Sequence, residues 1–209
     1  MIQDLRLNWL SLACKYGASE KNANALWKEI ENQYSQKHRY YHNLSHIENL
    51  LILAESCKER IKNFDAVLFA VWYHDIIYSA TKKDNEVQSA NYAQERLTSL
   101  NLEKGLIETI KTLIISTQKH EIILTENNDN ALLLDMDLSI LGSSWEDYHK
   151  YLKNIRKEYA IFPNFMYRKG RKKVLQHFLE RDTLYFTAYF QSKFEAQARK
   201  NLNKEIELL

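Results

Sequence analysis

The chemistry in this chain is densest at Trp72-Tyr73-His74-Asp75-Ile76-Ile77. A histidine and an aspartate stand side by side at the end of an apolar run, Ala66-Val67-Leu68-Phe69-Ala70-Val71, of the kind that forms helix core. An imidazole and a carboxylate beside buried surface are costly unless they are paired or hold a metal. Together they offer one nitrogen and one oxygen donor to a single ion. The bland alternative is a pair that only caps a helix C-terminus. Upstream, Lys37-His38-Arg39-Tyr40-Tyr41-His42-Asn43-Leu44-Ser45-His46 gathers several functional side chains. His42 and His46 are four apart, the spacing of a two-histidine metal site when both are helical. A helix beginning at Asn43, the preferred reading, puts His46 inside it and His42 in the loop before it. Downstream, the apolar run around Leu132–Leu141 carries Asp135 and Asp137. On a helix these point about 200° apart, so at most one easily faces a common site. Glu86 opens a helix, either as a favourable charge at its positive end or as a carboxylate aimed into the site. His120 falls at a helix C-terminus, where the dipole alone favours it. Arg39, Arg156 and Arg171 are candidate grips on a phosphate, since a guanidinium can offer two donors at once. For any one of them an ordinary surface or ion-pair role is the alternative.

The elements that must position these groups read as helices. Apolar stripes place amphipathic helices at 4–16 and 20–35, divided by Gly17-Ala18-Ser19 with Ser19 as a cap, then at 44–58 with Asn43 or Ser45 as the cap. An apolar helix at 64–78 delivers His74 and Asp75, and one from about 84 to 98 carries Glu86. Leu106, Ile107, Ile110, Leu113 and Ile114 mark the next, ending near 117–120. The stretch 125–130 is the clearest loop. Gly142 ends the helix that bears Asp135 and Asp137, and Ser143-Ser144-Trp145-Glu146 reads as a capping box. The last third forms a helix through Tyr148, Tyr151 and Tyr159, another through Tyr167 and Leu175, and a final one at about 184–206. Only four Gly and one Pro occur in 209 residues, and turn-rich all-β folds favour both. The expectation is one all-α domain. Its net charge of +2 is too small to argue for nucleic acid. Cys14 and Cys57 fit no metal or redox spacing and read as buried thiols in a reducing, cytoplasmic setting. The first residues lack the apolar core of a signal peptide. No apolar run reaches membrane-spanning length, so neither a membrane nor a nucleic-acid partner is expected.

Taken in order, His46, the His74-Asp75 pair and Asp137, each on a separate helix, resemble the HD-domain superfamily of metal-dependent phosphohydrolases. The flanking phrases Arg39-x-Tyr41-His42-Asn43-x-x-His46, Asp84-Asn85-Glu86 and Asp137-Leu138-x-Ile140-Leu141-Gly142 are similar to one bacterial branch of it. The resemblance implies an HD-type bundle of about nine to ten helices, with a metal-site core at about 39–142 and C-terminal helices at about 144–206 packed on it. It implies His46, His74, Asp75 and Asp137 as ligands of one divalent metal. The second acid of the Asp-x-Asp pair is taken, with Asp135 left as an alternative ligand or a supporting partner. Asp75 and Glu86 are the implied catalytic acids, although Glu86 stands eleven positions past the pair, farther than in better-known branches. Mixed His and carboxylate ligands suit Mn, Fe, Co, Ni or Zn, with Mg also open. The expected activity is hydrolysis of a nucleotide or other small phosphate ester by metal-activated water. Arg39, His42, His120, Arg156 and Arg171 are the candidates for substrate contact. Three alternatives remain open: a non-catalytic metal- and nucleotide-binding sensor, a di-iron oxygenase, and a helical interaction domain. A homodimer is neither required nor excluded.

Overall fold

The computed structural model describes residues 2–209. Among these the chain is all-helical, with ten α-helices of nine residues or more and no strand. They are α1 (Ile2–Lys15), α2 (Glu20–Tyr34), α3 (Leu44–Ser56), α4 (Phe64–Tyr73), α5 (Asn85–Leu97), α6 (Lys104–Ser116), α7 (Asp129–Asp137), α8 (Trp145–Glu158), α9 (Asn164–Leu179) and α10 (Ala196–Leu208). Among the described residues no helix is long and apolar enough to cross a membrane. Where the length alone leads one to expect a single domain, the chain divides into two compact units, Met1–Leu133 and Leu134–Leu209. The division falls inside α7 rather than after Gly142.

The first unit is built around α4. Seven of its ten residues, among them Phe69, Val71, Trp72 and Tyr73, are buried, so it is enclosed rather than amphipathic. Helices α3, α5 and α6 pack on it. Trp9 of α1 meets Phe69, Trp72 and Tyr73 edge-on at 5.7–6.1 Å, geometries worth about 0.5–1.5 kcal/mol each beyond area burial. Asn63 caps α4 by accepting from the Ala66 N–H. Two residues of the stretch expected to be a plain loop turn out to be anchors. Asp129 accepts from the backbone N–H groups of Lys62 and Asn63, and Asn130, fully buried, accepts from those of Ile123 and Leu124. Cys57 is buried as expected, whereas Cys14 is exposed on the outer side of α1.

The second unit surrounds an aromatic cluster, Tyr185, Phe190 and Phe194, with rings 5.5–6.3 Å apart. The expected final helix is regular only from Ala196. Before it the chain makes a short helical turn at Ala188–Phe190 and a π-helical turn at Gln191–Glu195. The carboxylate of Glu195 accepts from the Leu184 and Tyr185 N–H groups, which holds the preceding segment out of helix. After α7 comes a 3-10 turn, Leu138–Gly142. A Cβ on Gly142 would stand 2.6 Å from the backbone oxygen of Phe194, so close approach is a further demand for glycine there. The cap of α8 sits one residue later than the sequence pattern implies. Ser144 accepts from the Asp147 N–H and donates to the Asp147 carboxylate.

Candidate metal centre

Helix α4 stops one residue before the chemistry begins. His74 is its C-cap and Asp75 lies in the turn beyond, so the helix is shorter than the 64–78 expected. The reason is local hydrogen bonding. The backbone oxygen of Val71 lies 3.0 Å from His74 Nδ1, and the Trp72 oxygen accepts from the Tyr34 hydroxyl at 3.0 Å. The Ile77 N–H donates to the Ser89 hydroxyl, which in turn donates to the Ile77 carbonyl. Side chains thereby satisfy groups that a continuing helix would have used.

Helix α3 starts where the sequence places it. Asn43 is its N-cap, accepting from the Ser45 N–H, and its own amide donates to the Tyr40 carbonyl. His46 is therefore in the first turn of α3 and His42 in the loop before it.

These two segments bring His46, His74 and Asp75 together. His46 Nε2 and His74 Nε2 are 3.2 Å apart, and Asp75 Oδ2 is 3.1 Å from His74 Nε2 and 3.7 Å from His46 Nε2. Both imidazoles are almost fully buried, and the carboxylate retains a small exposed fraction. A proton on His74 Nδ1, donated to Val71, leaves the Nε2 lone pair facing its neighbours. Two imidazole nitrogens and a carboxylate oxygen then converge, an arrangement that a cation or a shared proton between them would satisfy. This donor set fits a borderline divalent metal. Among the described residues it is the one group of three or more such side chains within metal-binding reach of one another.

The surroundings are aromatic. The His42 ring stacks on Tyr78 at 4.2 Å, and Tyr41 lies 5.0 Å from the His46 ring. The carboxyl of Glu86, in the first turn of α5, is pushed above its usual range. Burial is the main cause, and the charge of Asp75 adds to it while His120 and His74 oppose it. Glu86 therefore shares the electrostatic neighbourhood of His74, Asp75 and His120. His120 itself is beyond α6, in a turn with φ of +50°, rather than at a helix end.

The three arginines expected to grip phosphate are engaged elsewhere. Arg39 is buried and donates to the backbone oxygens of His42, Asp75 and Ile76. Arg156 donates to the carbonyls of Tyr159 and Phe162 and to the Asn164 side chain, tying down the link between α8 and α9. Arg171 makes a two-point pair with Glu205. In this structure their donors meet backbone, amide, hydroxyl and carboxylate partners.

Asp135 and Asp137 have different surroundings in the second unit. The Asp135 carboxylate accepts from the Phe186 and Thr187 N–H groups and from the Thr187 hydroxyl. It serves as an anchor for that segment. Asp137 closes α7. Sequence reasoning missed Tyr34, Tyr78 and Ser89. The signal for Tyr34 was present, because it continues the buried face Ala23, Trp27, Ile30 of α2 and its hydroxyl needs a partner there.

Comparisons with models of protein families, with curated proteins and with solved structures gave no match. What fold and site together define is an all-helical protein with a buried His–His–Asp cluster.

Proposed function

We propose that the chain is a metal-dependent phosphohydrolase of the HD type, acting on a nucleotide or other small phosphate ester. The observation that carries this reading is the convergence of two imidazole nitrogens and a carboxylate oxygen, of His46, His74 and Asp75, within 3.7 Å of one another. Asp137 enters the proposal as fourth ligand from the order of the sequence, supported by the anchoring role that occupies Asp135. An Mn, Fe, Co, Ni or Zn ion, or Mg, would supply Lewis acidity there, polarising a phosphoryl oxygen and acidifying water. His46 and His74 would hold the ion through Nε2. Asp75 would add an anionic oxygen. Asp75 or Glu86, whose carboxyl is pushed above its usual range chiefly by burial, would handle a proton in the reaction.

The same convergence of ligands admits a second reading, a sensor that binds a metal and a nucleotide without turnover. Metal content of wild type and Asp137→Ala, followed by phosphate release from a panel of esters with the bound metal, separates the readings. One ion per wild-type chain, lost in the variant, with phosphate release, is the expected result. Stoichiometric metal with saturable nucleotide binding and no turnover moves the assignment to the sensor. Two irons with oxygen consumption move it to the oxygenase, and absence of metal after reconstitution ends both metal readings.

A further inference from the structure

We infer that Arg39 is the positioning residue of the metal centre, a clamp that fixes the two ligand-bearing segments by their carbonyls. The inference rests on the metal site proposed above. Arg39 lies in the turn between α2 and α3, where its N–H donates to the Gln36 carbonyl. Its Nη1 donates to the Asp75 oxygen at 2.6 Å and the His42 oxygen at 3.1 Å, and its Nη2 to the Ile76 oxygen at 2.9 Å. One acceptor is just before the cap of α3, four residues from His46. The other two are on and beside Asp75. A single planar group thus joins the backbone that carries His46 to the backbone that carries His74 and Asp75.

The energetics make this arrangement unusual. Arg39 is 6 % exposed, and its Nε is buried without a hydrogen-bond partner. Its charge is met by carbonyl dipoles and by the faces of Tyr34 and Tyr78, at 5.0 and 5.5 Å, rather than by a carboxylate. A buried cation without an anion is destabilising. Two neutral donors would satisfy the same carbonyls at less cost. What only a guanidinium provides is a rigid fork that sets the directions of two neighbouring carbonyls at once.

The test is Arg39→Lys, which keeps the charge and loses the fork, measured first by Co(II) affinity through competition with a chromophoric chelator. Affinity is expected to fall about 10- to 100-fold, the range for groups that orient metal ligands. The visible Co(II) bands are expected to change with it, reporting altered ligand geometry in a chain whose far-ultraviolet dichroism matches wild type. Unchanged affinity and bands overturn the inference, whether or not KM for a phosphate ester rises. A KM rise alone would return Arg39 to substrate contact. Wild type that binds no Co(II) removes the centre itself, so that failure is distinct. Should Arg39→Lys not fold, the wild-type side-chain NMR signals of Arg39 decide. They are expected to stay in place when inorganic phosphate is added to the Co(II) form, and a phosphate-dependent shift overturns the clamp.

Discussion

Each unit buries a cluster of ionisable side chains, one of two imidazoles and a carboxylate and the other of a guanidinium, a carboxylate and tyrosines, and the two differ in how their charges are met. In the second unit Arg171 pairs with both carboxylate oxygens of Glu205, and the Tyr148 hydroxyl donates to the same carboxylate. Arg171 also lies 5.4 Å from the Tyr151 ring centre and donates to its hydroxyl. Donors and acceptors match and the charges cancel. In the first unit two imidazole nitrogens and a carboxylate oxygen, of His46, His74 and Asp75, meet with no guanidinium or ammonium shown among them. Burial is similar, so burial alone does not distinguish a structural cluster from a receptive one. The group types do, because a carboxylate paired with a guanidinium already has its charge met, whereas two imidazoles and a carboxylate make a donor set that suits a metal ion.

The comparison can be broken most forcefully at Arg171. Arg171→Met leaves Glu205 buried without its cation, and a loss of about 3–5 kcal/mol in urea unfolding is expected. An unchanged unfolding midpoint would show that the pair is not what holds this cluster together.

Asp135 sharpens the contrast through pH. Its carboxyl is pushed up from 3.8 to about 6, chiefly by burial, against the pull of its three donors. The unfolded chain releases this proton at lower pH than the native one. Native protein therefore holds the extra proton between those values, and stability falls as pH rises through about 4 to 6, by roughly 3 kcal/mol. Asp135→Asn removes the titration, so the stability difference between wild type and variant should shift against wild type between pH 4 and pH 7. A constant difference would show that the group titrates normally.

The smallest expected effect tests the receptive cluster directly. Co(II) at about 100 times its dissociation constant should stabilise wild type by about 2.7 kcal/mol, read as a rise in melting temperature. His74→Ala should show no such rise. An equal rise in both proteins would place the ion elsewhere.

Much of the helical order was legible because apolar spacing and caps are local. Asn43 and Ser19 cap the helices that the pattern assigns them. The His–Asp pair stood out because it follows an apolar run too long to be surface. The protein partners of the arginines were not legible, for a physical reason. A guanidinium suits phosphate, carboxylate and carbonyl alike, and the sequence does not say which acceptor lies within reach. Asp129 and Asn130 looked like loop polarity, since a carboxylate that binds distant backbone N–H groups has the same local signature as one in water.

The sequence by itself determined an all-helical chain, the caps of its early helices and the residue types from which a metal site can be made, because these depend on neighbours within a turn or two. Only the tertiary structure decided that the chain divides inside α7, that α4 stops at Tyr73, that Asp135 anchors a segment fifty residues away, and that Arg39 is bound to the carbonyls of Asp75 and Ile76. The last three follow from a donor finding an acceptor far along the chain, a pairing that local pattern does not encode.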